Sequence, residues 1–244
     1  SPAYDPNQLV GRVRSRNYGM LMADTAKPLF NRATMAYYPP GSTFKLINGL
    51  IARQEGVLSV STRYPCAGGY PPGRGKPACH RHPSPLDFIE SVQHSCNSYY
   101  AYTFRSIIDN PAYHSVADAF SAWRRHVLSF GIGKLLHTDL PHELPGNVPS
   151  VDYYNRYFGK GKWKSATILS LGIGQGELGC TPLQMANVMA IIANKGYYYV
   201  PHILRSHQDS SGNYEMPPQF EERHRTTINR AYFDEVTEGM ARVV

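Results

Sequence analysis

Apolar residues recur at helical spacing in five stretches of the chain, 37–56, 86–108, 115–130, 181–194 and 228–243. In the first, Phe44, Leu46, Ile47, Leu50 and Ile51 supply one apolar face that runs up to Gly56. The fourth, within CTPLQMANVMAIIANKG, carries its own boundaries. Thr181 can cap the first free N–H groups, Pro182 suits the first helical position, and Gln184 completes a capping box. Lys195 complements the C-terminal dipole and Gly196 stops the helix. Met185, Val188, Met189, Ile191 and Ile192 on this helix read as core. Strand-like alternation is scarce: residues 196–204, GYYYVPHIL, qualify, and Pro201 confines them to an edge or ends the strand. Pro, Gly and His crowd 63–85 and 138–150, which read as loops.

The length of 244 residues suffices for a buried core, and 42% hydrophobic against 18% charged residues marks a globular chain rather than a disordered one. A formal charge of +7 suits a nucleic acid, an anionic polymer or a membrane surface equally. No apolar run approaches the roughly 18 to 20 residues that cross a bilayer, and residues 1–20 lack the apolar stretch of a signal peptide.

The candidate chemistry begins at YYPPGSTFKLING, residues 37–49. Pro39 and Pro40 disfavour helix before them, and Gly41 permits a sharp turn, so Ser42 falls in the first helical turn. Lys45, three positions on, shares its face and can reach its hydroxyl. A serine hydroxyl needs an adjacent base to become a nucleophile, and apolar surroundings can lower a lysine pKa far enough to serve. The helix N-terminus favours a developing alkoxide and directs N–H groups at an attacked carbonyl. By itself S-x-x-K is a common pattern, equally compatible with a capping serine and a solvated lysine.

A second element, SVQHSCNSYYAYTF at 91–104, places Ser95-Cys96-Asn97 before an aromatic helix. With S-x-x-K this makes two of the three motifs of penicillin-binding proteins and serine β-lactamases. The chain resembles the transpeptidase domain of class B penicillin-binding proteins, most closely the penicillin-binding protein 2 group that serves cell elongation. The resemblance rests on SPAYDPN at 1–7, YPPGSTFK at 38–45, SCNSYYAY at 95–102, FGIGKLLHTDLPHE at 130–143 and LGIGQGELGCTPLQMAN at 171–187, in the family's order. It implies a mixed α/β fold of the penicillin-binding protein and serine β-lactamase type. The family's first two sheet strands would precede residue 1, and the K-T-G or K-S-G strand would follow residue 244. Residues 1–244 are therefore expected to form part of a transpeptidase domain, predominantly helical, with much of the antiparallel sheet missing.

The implied activity is peptidoglycan D,D-transpeptidation. Ser42 matches the nucleophile that attacks the D-Ala-D-Ala carbonyl of a stem peptide, and Lys45 its general base. Ser95 matches the hydroxyl that passes a proton to the leaving amine, and Asn97 the amide that holds Lys45 and the substrate. β-Lactam antibiotics would acylate Ser42. Weak or no acylation is expected of these residues without the third motif. No cofactor is required. The resemblance also implies a membrane anchor, an extracytoplasmic (periplasmic) location and partners among the cell-elongation membrane proteins. A β-lactam sensor or hydrolase would share the acyl-serine chemistry, but the landmarks at 130–143 and 171–187 argue against it.

Cys66, Cys79, His80 and His82 offer thiolates and imidazoles of the kind zinc selects. An extracytoplasmic location favours instead a disulfide between Cys66 and Cys79, and free thiols remain a third state. Cys96 and Cys180 are expected to be unpaired. His94 reads as structural. The glycines of LGIGQGELG lack a phosphate-loop context and read as a tight bend near the active site. Tyr99, Tyr100 and Tyr102 fit either a substrate groove or core packing. A zinc-dependent nucleic-acid binder would cluster its Lys and Arg residues, whereas here they are scattered, so no nucleic-acid partner is expected.

Overall fold

The computed structural model describes residues 2–71, 76–208 and 210–244. Residues 72–75, inside the cysteine-bracketed loop, and the first residue of the SPAYDPN segment lie outside the described residues. The chain is mainly helical. Among the described residues the helices are α1 (Arg14–Ala23), α2 (Arg32–Met35), α3 (Phe44–Gln54), α4 (Phe88–Gln93), α5 (Asn97–Ile108), α6 (Val116–Ser129), α7 (Val151–Phe158), α8 (Pro182–Ala193), α9 (Pro218–Glu221) and α10 (Phe233–Ala241). Two short antiparallel pairs complete it: β1 (Tyr197–Tyr198) with β4 (His224–Arg225), and β2 (His207–Gln208) with β3 (Tyr214–Glu215).

Helix α3 is the centre of the fold, with α4, α5, α6, α10 and the 3₁₀ turn Leu169–Ile173 packed around it. Its predicted face is buried as expected at Phe44, Ile47, Leu50 and Ile51, while Leu46 is only partly covered. Phe44, Phe104 and Phe120 close around the fully buried Trp123, edge-on for the first two and stacked for the third. Trp123 carries an N–H that must find an acceptor in this apolar setting. Asn48 of α3 supplies it, accepting at 2.8 Å through Oδ1. The same carboxamide donates to the Leu171 and Gly172 carbonyls, both at 3.0 Å, so one buried side chain ties α3 to α6 and to the 169–173 turn.

Helix α8 has the ends its sequence predicts. Thr181 Oγ1 accepts from the Gln184 N–H, and Gln184 Oε1 accepts from the Thr181 N–H. The two hydrogens of Gln184 Nε2 are shared among the carbonyls of Gly131, Lys134 and Pro145, which fastens the 130–146 loop to α8.

Three departures from the pattern have local causes. The apolar run at 86–108 is two helices, because Ser95 adopts a left-handed backbone at φ 48°. The strand expected over 196–204 is only two residues long. Beyond it the N–H groups of Ile203 and Leu204 donate to the Asp139 carboxylate rather than to a neighbouring strand. Helices α1, α2 and α7 escape the periodicity: α1 buries no residue at all, α2 buries Thr34 and α7 only Tyr154.

Replacing Asn48 by Ala leaves the Trp123 N–H and two buried carbonyls without partners. Urea unfolding is expected to register a loss of about 3 kcal/mol, and a loss within experimental error would show that α3 is not held through this residue.

Candidate active site

Pro40 leads into a single 3₁₀ turn, Gly41–Thr43, which runs directly into α3. Ser42 lies in this turn with its side chain exposed and without a hydrogen bond to any described residue. The turn is braced from far along the chain. Gly41 N–H donates to the Gly174 carbonyl at 2.8 Å, and Tyr38 exchanges both backbone hydrogen bonds with Cys180. Gly174 has φ 70°, and a Cβ there would stand 2.1 Å from the Gly41 carbonyl oxygen, so only glycine fits. The LGIGQGELG segment is thus the seat of the Ser42 turn.

Lys45 is 2% exposed, and each of its three ammonium donors has an acceptor: the Ser95 carbonyl at 2.7 Å, the Ser95 hydroxyl at 3.0 Å and Asn97 Oδ1 at 2.6 Å. Helical spacing predicts that Lys45 reaches Ser42; in the structure its ammonium is held by Ser95 and Asn97 instead. Burial lowers the Lys45 pKa from 10.5 to about 8, against the opposing charge of Cys79 and Cys96. The ring of Tyr100 lies 5.8 Å from the nitrogen.

Two local features aim the acceptors. The left-handed backbone of Ser95 costs on the order of 1 kcal/mol for a residue with a Cβ, and it turns both the carbonyl and the hydroxyl of Ser95 onto Lys45. Asn97 opens α5, and Cys96 caps that helix by accepting the Tyr99 N–H on sulfur. The Asn97 carboxamide donates through Nδ2 to the Ala78 carbonyl at 2.6 Å, which leaves Oδ1 facing Lys45.

The loop that carries Ala78 also gathers the cysteines. One ligand atom from each of Cys66, Cys79, His82 and Cys96 lies within 4.8 Å of all the others. Cys79 Sγ is 3.3 Å from His82 Nε2 and 3.9 Å from Cys96 Sγ, and it accepts the Asn97 backbone N–H. His82 Nδ1 lies 2.6 Å from the Pro83 carbonyl, which can only accept, so Nδ1 donates there and Nε2 is the nitrogen that faces Cys79. Burial pushes the Cys66 thiol up, but hydrogen bonds with Ser98 and the Gly68 backbone outweigh it and bring it down to about 7; burial drives Cys96 up to about 12.

The structure differs from two expectations for the cysteines. All four cysteines are free, so Cys66 and Cys79 form no disulfide: Cys66 is engaged by Ser98, and Cys79 by His82, Cys96 and Asn97. The four-residue set is also different from the one read in sequence. His80 stands outside it, its ring edge-on to His82 at 5.4 Å, and Cys96 takes its place. Cys96, between Ser95 and Asn97, reaches the cluster by standing 3.9 Å from Cys79 Sγ. His94 stacks on His82 at 5.9 Å, and Tyr99 and Tyr100 are core residues rather than a groove.

Residues 1–244 match the penicillin-binding protein transpeptidase domain family. The chain is 32% identical over 214 residues to the peptidoglycan D,D-transpeptidase MrdA of Escherichia coli K12, covering 84% of this chain and 31% of that protein. It spans about a third of the length of the curated relatives it matches. Among solved structures, Pseudomonas aeruginosa PBP2 in complex with WCK 5153 superimposes with a TM-score of 0.75 at 26% identity, over 98% of this chain and 52% of that one. The imipenem acyl-enzyme complex of Mycobacterium tuberculosis penicillin-binding protein A does so with a TM-score of 0.70 at 25% identity, over 100% of this chain and 53% of that one.

The buried Lys45 ammonium has a thermodynamic signature. Between pH 8 and 10.5 the folded state has lost the lysine proton while the unfolded chain still holds it, so the unfolded state binds more protons and stability rises with pH. Relative to Lys45→Met, the wild-type chain is expected to gain up to about 3 kcal/mol across that window in denaturant titrations. Parallel curves for the two proteins would refute the burial of a charged lysine.

Proposed function

The chain belongs to the penicillin-binding protein transpeptidase family, and we propose that its Ser42 site performs the acyl transfer of a peptidoglycan D,D-transpeptidase. The observation that carries this reading is the buried Lys45 amine, set one helical turn after an exposed Ser42 and held by Ser95 and Asn97. At a pKa of about 8 an appreciable fraction of the amine is neutral near neutral pH. Loss of one proton frees one position on Nζ for the hydroxyl of Ser42, three residues earlier in the 3₁₀ turn that opens α3. Ser42 Oγ then attacks the carbonyl carbon of the D-Ala-D-Ala peptide bond while its proton passes to Lys45. Backbone N–H groups at the start of α3 stabilise the oxyanion. As the C–N bond breaks, the Ser95 hydroxyl, 3.0 Å from Nζ, relays the proton to the departing D-alanine amine. An amine of a second stem peptide attacks the resulting ester, forms the crosslink and returns Ser42 to its free state. Every group in this scheme is a side chain or backbone amide of the chain, so acyl transfer requires no cofactor.

The same serine would be acylated by β-lactams. A peptidoglycan substrate places the domain outside the cytoplasmic membrane, alongside membrane proteins of cell elongation; no helix among the described residues is long and apolar enough to cross a membrane. The sequence contains no Lys-Thr-Gly or Lys-Ser-Gly triplet, so acylation by these 244 residues is expected to be slow.

Cys66, Cys79, His82 and Cys96 would together hold one zinc ion, three thiolates and an imidazole being a common tetrahedral structural set. Such an ion would stabilise the loop whose Ala78 carbonyl orients Asn97.

Intact-mass measurement during long exposure to excess penicillin tests the first reading. The wild-type chain is expected to gain slowly the mass of one opened ring, faster as pH rises through 8, and Ser42→Ala and Lys45→Ala to gain none. Label retained by Ser42→Ala, or a longer chain carrying the third motif that stays unmodified, would overturn it; rapid loss of the label would favour a hydrolase. For the metal, the reduced protein is expected to bind one equivalent of zinc, to lose it on Cys79→Ser and to keep it on His80→Ala. Four freely titratable thiols in the presence of zinc would eliminate the site.

A further inference from the structure

A cavity of about 230 Å³ opens between the C-terminal end of α8, the β1–β4 strand pair and the turn that leads into α10. It is separate from the Ser42 site, none of whose residues lines it. Lys195, Arg223, Arg225 and Arg230 are four of the nine residues around it, and no carboxylate is among the nine. Tyr197 pairs with Arg225 across the two strands, which brings the strand-borne arginine alongside the end of α8.

The cations differ in how they are held. Lys195 pairs with Asp234 at 2.6 Å. Arg223 is fixed against two tyrosines: its guanidinium lies over the Tyr197 ring at 4.5 Å, and two of its nitrogens donate to Tyr199 Oη at 3.3 and 3.2 Å. Arg225 and Arg230 have no carboxylate within ion-pair distance among the described residues. Three arginines and Lys195 therefore line one concavity, and the carboxylate that pairs with Lys195 lies outside its lining. Like charges gathered in a cleft repel one another and focus the field into it, and that field is relieved by an anion of more than one charge. Guanidinium groups offer paired N–H donors that match phosphate oxygens, and the two tyrosines leave Arg223 little freedom to lose on binding. Asn194 and Thr226 add polar groups to the rim.

We propose that this cavity is a binding site for a phosphate-bearing ligand, independent of acyl transfer at Ser42. The cavity admits a phosphate or pyrophosphate group, and the same chemistry is presented by a soluble phosphate ester and by an anionic phospholipid headgroup.

Calorimetric titration of the full chain with inorganic pyrophosphate at constant ionic strength tests the site. Saturable one-to-one binding is expected, weakened at least about tenfold in Arg225→Ala/Arg230→Ala, a loss of about 1.4 kcal/mol. The control Arg12→Ala/Arg14→Ala removes the same charge from an exposed segment elsewhere and should bind like the wild type. Equal weakening in both double variants, or heats that never saturate, would overturn the proposal and leave only a general attraction to a basic protein. Thermal unfolding of each variant without ligand identifies any loss of fold, and Arg225→Lys/Arg230→Lys, which keeps the charge but not the paired donors, should bind more weakly than wild type. Flotation with phosphatidylglycerol vesicles, against phosphatidylcholine vesicles, separates the sources: arginine-dependent flotation assigns a lipid headgroup, and pyrophosphate binding without flotation assigns a soluble phosphate.

Discussion

An ammonium group taken out of water must exchange its hydration shell for protein acceptors, and the interior has to supply one for each of its three hydrogens. At Lys45 those acceptors are two oxygens of Ser95 and one of Asn97, none of them charged. The absence of a carboxylate partner is what makes the arrangement chemically useful: a buried ion pair would hold the lysine protonated, whereas burial among neutral acceptors lowers its pKa towards the working range. Much of the surrounding structure meets this one requirement. Ser95 takes a left-handed backbone, α5 begins at Asn97, and the loop ending at Ala78 holds the Asn97 amide the right way round.

The hydroxyl side of the site is organised differently. Ser42 needs exposure and a fixed backbone rather than burial, and its turn is supported through main-chain contacts with Gly174 and Cys180. Asn48, one turn beyond Lys45, anchors the same helix to the 169–173 turn just before Gly174. The two halves of the site are thus joined at the start of α3: Ser42 sits in the 3₁₀ turn that runs into it and Lys45 in its first turn, held by the Gly174 and Cys180 brace and by Ser95 and Asn97 respectively.

The cysteine cluster lies behind that second turn. Ser95 and Asn97 bind Lys45, Cys96 between them lies beside Cys79, and Cys79 bonds to the Asn97 backbone. Whatever state the thiols adopt bears on the position of Asn97 through these contacts. The cationic cavity beside β1 and β4 belongs to another part of the fold and shares no residue with this network.

The local elements were legible in the sequence wherever one short-range rule dominated. The capping box at Thr181 and Gln184 and the buried face of Phe44, Ile47, Leu50 and Ile51 follow from spacing within a few residues, whereas the helical spacing of Ser42 and Lys45 did not foresee that Ser42 lies in the 3₁₀ turn before α3 and that the Lys45 ammonium goes to Ser95 and Asn97. The pairing of the S-x-x-K and Ser-Cys-Asn motifs was legible only through family resemblance, since nothing local brings residues 50 positions apart together. Tertiary structure alone decided where the Lys45 hydrogens go, that Cys96 rather than His80 joins Cys66, Cys79 and His82, and that three arginines converge near the end of α8. It also set the short strand, because the Asp139 carboxylate captures the N–H groups that alternation would have assigned to a ladder. The physical reason is the same throughout: periodicity and caps act along one helix or strand, whereas the partner of a buried donor is chosen by whichever distant segment the folded core brings within hydrogen-bonding reach.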